Sequence, residues 1–184
     1  SGLNVIWGDM DSGKSSILNL IDFCLGGKDE FDYDEIKSKG RVVFLEVDLN
    51  GSLTTFERVL HHDDSVVRVY NSSFDNIDTV YPKVCSPSPS IEQPDGWVSD
   101  LILEKLNIPR VKIKESKFRD DATAYRLSFR DLMKLLYLKQ TKVASENLMD
   151  AANGAILNKN IEIQKFVYGV HDDQLPELNL ELQS

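Results

Sequence analysis

The sequence predicts an α/β fold with a mixed sheet, and three observations carry that expectation. A short apolar run, Leu3-Asn4-Val5-Ile6-Trp7, leads into a glycine-flanked loop that opens an apolar helix. Residues 42–49 alternate strictly and end on Asn50-Gly51, the pair that a tight hairpin favours. Leu175, Leu178 and Leu182 recur at spacings of three and four near the chain end, as in the first turns of a longer amphipathic helix or coiled coil.

Each element has a local reason. Residues 3–7 read as a short buried strand, with Trp7 in or near the core. Residues 14–25 carry Ile17, Leu18, Leu20, Ile21, Phe23, Cys24 and Leu25 on nearly every face, so the helix should be buried in the core. Gly26-Gly27 should end it. The acidic, polar stretch 28–40 reads as a loop. The strand at 42–49 should return as 53–60, and a third strand is expected at 66–70. Residues 71–96 hold four of the six prolines and read as an exposed loop insertion. A short helix is expected at 97–106 with Val98, Leu101, Ile102 and Leu106 inward, and a strand at 110–114. Ser128, with Asp131 three positions on, should cap a helix at 129–138. A further helix is expected at 158–169 with Ile161, Phe166 and Val167 inward.

Composition narrows the class. Of the 184 residues 41% are hydrophobic and 28% charged, which suits one globular domain with a real core. The net charge of −9 argues against a protein that coats nucleic acid with its whole surface. A local basic run (Arg110, Lys112, Lys114, Lys117, Arg119) reads as a solvated face. Cys24 and Cys85 lack a CxxC spacing and suggest a reducing, cytoplasmic setting. No membrane-length apolar run and no secretory signal is visible, and the Ser1-Gly2 start reads as a processed or trimmed end. His61-His62-Asp63-Asp64 reads as a polar turn, because metal ligation needs convergent side chains. Arg41 and Arg58 read as strand-surface arginines.

The chemistry lies in Gly8-Asp9-Met10-Asp11-Ser12-Gly13-Lys14-Ser15, which fits G-x-x-x-x-G-K-[ST]. Gly8 and Gly13 let the backbone curl so that the N–H groups of Asp9, Met10, Asp11, Ser12 and their neighbours point at phosphate oxygens. The helix opening at Lys14, with Ser15 and Ser16 in its first turn, adds its positive end. Lys14 is placed to reach the β- and γ-phosphates. The Ser15 hydroxyl is a hard oxygen ligand for Mg²⁺. A chance match in a chain of this length is on the order of one in a hundred. Residues alone do not separate ATP from GTP. Val43 to Asp48 offers an apolar strand ending in acid, but its alternation and hairpin turn mark it as half-exposed rather than as the buried strand that carries a metal-binding carboxylate. The hydrolytic carboxylates are expected outside this sequence.

The run Leu3 to Gly8, the phosphate loop, and Ile17-Leu18-Asn19-Leu20-Ile21-Asp22-Phe23-Cys24-Leu25-Gly26-Gly27 together resemble the amino-terminal half of an SMC-type ATPase head, the ABC-class group that includes RecN-like and double-strand-break-repair ATPases. The likeness continues through the antiparallel strands and through Phe129-Arg130-Asp131-Leu132 to Leu136-Tyr137-Leu138-Lys139-Gln140. It implies ATP with Mg²⁺, and a role for Gln140 in touching Mg²⁺ and positioning the attacking water. It implies an N-terminal lobe over 1–170 and the root of a coiled-coil arm at 171–184. A C-terminal lobe would supply the signature loop and catalytic carboxylates. It also implies a homodimer with ATP sandwiched between heads, and DNA as the associated substrate, in repair, genome maintenance or antiviral defence. Two other readings of the motif stand beside it: a small-molecule kinase, which would favour alternating strand–helix units, and a nucleotide-sensing interaction module.

Overall fold

The computed structural model describes residues 2–9, 12–28, 34–60, 66–114, 124–138 and 154–170. The chain divides into two compact units, Ser1–Asn107 and Ile108–Ser184.

The first unit opens with the glycine-flanked segment and α1 (Lys14–Cys24). A six-residue helix, α2 (Asp34–Lys39), follows within the stretch expected as a loop. Asp34 and Glu35 complement its positive end. Gly40 closes it, its N–H bonding the Ile36 carbonyl at 2.9 Å. A β-carbon there would lie 2.7 Å from that carbonyl oxygen, so only glycine fits.

Four antiparallel strands then form a meander in the order β1 (Val42–Leu49), β2 (Ser52–Val59), β3 (Val67–Tyr70) and β4 (Lys83–Cys85). The β1–β2 turn is the expected one. Asn50 and Gly51 take φ of 56° and 83°, the paired positive values of a two-residue hairpin turn, and Asp48 Oδ1 accepts the Gly51 N–H at 2.7 Å. Leu45, Phe56 and Val69 stand side by side across three strands, with Phe56 and Val69 fully buried. On the opposite face Glu57 accepts from Arg68 at 3.3 Å and from the Tyr70 hydroxyl at 2.6 Å.

The interval 71–96, expected as an inserted loop, contains a 3-10 helix at Phe74–Thr79 and then β4. Three-residue β4 has too little pattern of its own to be read locally. Its pairing with β3 (Val67 opposite Cys85) defines it. The start of α3 (Val98–Lys105) is tied to the end of β4 by the Val98 N–H donating to Ser86 at 2.9 Å. Val98, Leu101 and Ile102 are buried as expected, and Leu103 joins them, while Leu106 is half-buried.

Two further expectations fail around the loop and α1. Residues 3–7 form no strand: 2–9 carry no regular structure, and Leu3 and Trp7 are 91% and 89% exposed. A strand needs a neighbour, and none is present for this run among the described residues. Helix α1 is not buried all round either. Phe23 and Cys24 are buried, but Ile17 and Leu18 are 47% and 44% exposed. All strand ladders among the described residues are antiparallel, so the expected mixed sheet is seen only in its antiparallel part.

The second unit holds a two-stranded antiparallel ladder, β5 (Lys112–Lys114) with β6 (Ala124–Arg126), then α4 (Phe129–Leu136) and α5 (Gly154–Val167). Helix α5 lies against β5. Its buried face is turned from the expected one: Asn160 and Ile163 are buried, Ile161 and Phe166 only half so, and Val167 is exposed.

Helix α4 starts at the expected capping box. Ser128 Oγ accepts the Asp131 N–H at 3.2 Å, and Asp131 Oδ2 accepts the Ser128 N–H at 3.1 Å. The buried Asp131 carboxylate also meets Lys159 of α5 at 2.9 Å. Burial pushes its pKa up, but hydrogen bonds from Ser128 and Lys159 outweigh this and hold it below the ordinary 3.8. A depressed folded-state pKa means that the stabilisation is complete above the unfolded value and is lost as pH falls below it. Asp131→Asn should cost about 2–3 kcal/mol at pH 7, since Lys159 is partly exposed. The variant should also lose less stability than the parent when acidified below about pH 4. Urea titrations at several pH values check both, and parallel acid limbs would count against the ion pair.

Candidate functional site

The site is built at the junction of the irregular segment 2–9 and α1. The Ser12 N–H donates to the Asp9 carbonyl at 3.3 Å, which curls the loop. Gly13 then turns the chain into the helix with φ 82°, a left-handed conformation that side chains resist. The first helical bond runs from the Ile17 N–H to the Gly13 carbonyl at 3.1 Å. No side chain caps this end and no acid stands in the first turn. The N–H groups of Lys14, Ser15 and Ser16 precede the first intrahelical donor, so they are available to an external acceptor. They sit where the helix dipole is positive.

Lys14 ties the loop together. Its Nζ donates to the Gly8 carbonyl at 2.8 Å, to Ser12 Oγ at 3.0 Å, and to the Asp9 carbonyl. An ammonium has three protons, and three acceptors from the two sides of the loop converge on it. The loop is thereby shaped around a positive charge. Asp9 is exposed, so its carboxylate is screened by solvent. Ser15 is exposed and Ser16 half-buried at the same end. Met10 and Asp11 lie outside the described residues.

The two glycines act differently. A β-carbon on Gly8 would lie 2.8 Å from Ser12 Oγ, one of the lysine's acceptors. A β-carbon on Gly13 meets nothing within 4 Å, so its cost there is backbone strain alone. Gly13→Ala should therefore lose about 1–2 kcal/mol of stability. Gly8→Ala should leave stability nearly unchanged while disordering the lysine contacts. Urea midpoints compared with NMR shifts of the Lys14 side chain separate the two.

The far end of α1 is anchored. Gly26 and Gly27 donate to the Phe23 and Asp22 carbonyls at 3.0 and 2.9 Å, a Schellman stop with Gly26 at φ 93°. Phe23 and Leu60 are buried together, with Leu20, Ile36 and Val43 packed against them. Arg58, expected on the strand surface, is buried instead. Its Nη1 donates to the Phe23 and Gly27 carbonyls at 2.5 and 2.7 Å, and its guanidinium lies 3.7 Å from the Phe23 ring centre. The signal was present in the alternation: Thr54, Phe56 and Arg58 share one face of β2, and all three are buried. Arg41 is exposed, as expected.

Other candidates separate from this site. Trp7, expected near the core, is exposed. Gln140, residues 61–65, Lys117, Arg119 and the leucine-spaced tail 171–184 lie outside the described residues. Arg110 is exposed, and Lys112 and Lys114 are on β5. Cys24 and Cys85 are free. Burial pushes their thiols up to about 12 and about 11, against Arg58 in the first case and with the help of Asp95 in the second. Both therefore stay protonated and unreactive at neutral pH.

The donor set suits a polyphosphate: backbone N–H groups, one ammonium, and a glycine whose β-carbon would crowd Ser12 Oγ, one of the lysine's acceptors. For a divalent cation it offers the Ser15 hydroxyl. No cluster of three His, Cys, Asp or Glu occurs among the described residues. Mg²⁺ takes few protein ligands beside water and phosphate oxygens, so a single hydroxyl is compatible with it. No helix among the described residues is long and apolar enough to cross a membrane.

A glycine-bounded loop on an uncapped helix start, with its lysine folded over it, defines a P-loop nucleotide-binding domain. A family model described as an AAA domain matches residues 1–183, and the chain belongs to that family of nucleotide-binding, ATPase-type domains. Members generally bind ATP with Mg²⁺. Comparison with curated proteins and with solved structures returned no match.

Proposed function

We propose that this chain is the N-terminal lobe of an SMC-like ATPase head. In this reading Gly8 to Ser16 hold the phosphates of ATP, with Lys14 at the β- and γ-phosphates and Ser15 as the Mg²⁺ ligand. A Mg²⁺ held by Ser15 would supply positive charge to the phosphates. Gln140 orients the attacking water. A complementary lobe provides the signature loop and the hydrolytic carboxylates, and two heads close on ATP.

One observation carries the two-lobe reading. Leu3, Val5, Ile6 and Trp7 before the loop, and Ile17 and Leu18 just after it, are all large apolar residues left exposed at the phosphate site itself. Scattered exposed leucines are ordinary, but six such residues flanking one functional loop call for a cover. A lobe that pairs with 3–7 would turn that run into the buried strand that its composition favours. DNA as the substrate, in repair, genome maintenance or antiviral defence, rests on analogy with SMC-like machines.

The test is complementation. Alone, the chain should bind Mg-ATP and turn it over negligibly. With the C-terminal lobe added, turnover should rise by at least 100-fold and Trp7 emission should shift to the blue as the indole leaves water. Efficient phosphoryl transfer by the chain alone to a small acceptor would overturn this reading in favour of a kinase.

A further inference from the structure

We propose that Arg58 is a positioning residue for the phosphate loop, acting through α1 from the end remote from the nucleotide. The inference rests on the assignment of Gly8 to Ser16 as the phosphate site.

Its basis is an asymmetry in how α1 is held. Of its 11 residues the two that are buried, Phe23 and Cys24, are its last two. Leu25 and Gly27, just beyond, are buried as well. At the other end Ser15, Ile17 and Leu18 are exposed. Helix α1 is thus a rod held at its C-terminal end and carrying its chemistry at the free end. At about 1.5 Å per residue the rod is roughly 16 Å long, and a tilt of about 5° at the anchor moves the loop by roughly 1.5 Å. A displacement of about 1 Å is enough to cost a reacting site on the order of a hundredfold.

Arg58 is the group best placed to suppress that tilt. Apolar packing of Phe23 against Leu60 resists separation but has no directional preference. Hydrogen bonds do have one. One guanidinium nitrogen joins the carbonyl of Phe23, in the last turn, to that of Gly27, beyond the stop. The guanidinium also lies over the Phe23 ring at 3.7 Å, a cation–π contact that fixes it against the last turn of the helix. The arginine comes from an inner strand of the meander, near its end: Arg58 pairs with Val43 of β1, one residue beyond the Glu57–Arg68 pair that joins β2 to β3. Its positive charge also suits the negative end of the helix. A lysine could supply that charge but not the rigid planar guanidinium that spans both carbonyls over the ring.

The experiment uses the full 184-residue chain without nucleotide and with Mg-ATP. Arg58→Lys and Arg58→Gln are compared with Val69→Ala, which opens a cavity in β3 away from α1. Mg-ATP affinity is measured by calorimetry at a temperature where every variant is folded. Backbone exchange is followed by hydrogen–deuterium exchange. We expect Arg58→Lys to bind Mg-ATP about 5- to 10-fold more weakly and Arg58→Gln at least as weakly. Amides of Ile17 to Ile21, at the loop end of α1, should exchange at least 5-fold faster without nucleotide. Val69→Ala should lower thermal stability while leaving affinity within about 2-fold.

Unchanged affinity in both Arg58 variants, or an equal loss in Val69→Ala, overturns the proposal and leaves Arg58 a structural residue. If the parent chain does not bind Mg-ATP, the phosphate-site assignment fails. The exchange result then still decides on the anchor. Acceleration reaching residues 17–21 supports it, and acceleration confined to 23–27 overturns it.

Discussion

Lys14→Ala should abolish measurable nucleotide binding by the isolated chain. The ammonium is the one full positive charge that the structure places inside the loop, bonded to the Gly8 and Asp9 carbonyls and to Ser12 Oγ. Its loss removes the attraction for the phosphates, about 4 kcal/mol for one charge pair at 4 Å in a surface-like dielectric. It also removes the contacts that keep the loop curled. A loss of about 3 kcal/mol already weakens Kd by more than 100-fold. Fold stability should change little, because alanine is a good helix former at this exposed helix start. Calorimetric titration of Mg-ATP into parent and variant, with thermal melts of both, gives the answer. Parent-like affinity in the variant would remove the phosphate loop from the functional account.

Phe23→Ala should be the most damaging single change to the first unit. The ring is 2% exposed and packs with Leu60, Leu20, Ile36 and Val43. Truncating a buried phenylalanine costs about 3–5 kcal/mol. The cation–π contact with Arg58 adds about 1 kcal/mol. Domains are stable by only about 5–15 kcal/mol, so the variant should sit near the edge of folding. Ile17→Ala, on the same helix but half-exposed, should change stability by no more than about 0.5 kcal/mol. Urea unfolding followed through Trp97, whose indole donates to the Pro87 carbonyl at 3.1 Å, reads both. Equal losses in the two variants would mean that α1 is held along its whole length and not at one end.

These two changes also mark where the sequence was and was not legible. The loop geometry was legible because it is local: Gly8, Gly13, Lys14 and Ser15 lie within eight residues, and helix α1 begins at Lys14 as the motif requires. The hairpin was legible for the same reason, since Asn50-Gly51 needs only its own two positive φ angles. So was the Ser128–Asp131 capping box. Six-residue α2 and three-residue β4 and β6 were not legible. Elements so short have little periodicity, and their partners in space decide them. The buried face of α5 was misplaced because Ile161, Ile163, Phe166 and Val167 offer two overlapping apolar stripes, and only a packing partner chooses between them.

Arg58 shows the same division within one residue. Its alternation with Thr54 and Phe56 pointed inward, but an arginine is rarely buried, and composition outweighed register. The two carbonyls that accept from its Nη1 are 35 and 31 residues away in sequence, and nothing local announces them. The exposure of Leu3, Val5, Ile6 and Trp7 reverses the case: their composition favours a buried strand, and the described residues supply no neighbour for it.

The sequence by itself determined the glycine-flanked loop opening α1, the Asn50-Gly51 hairpin and the capped α4, because each depends on residues within one turn or one loop of one another. Only the tertiary structure decided which end of α1 is held, that Arg58 holds it, and that the apolar run before the loop stands open. Those are matters of burial, and burial is set by which distant segments meet.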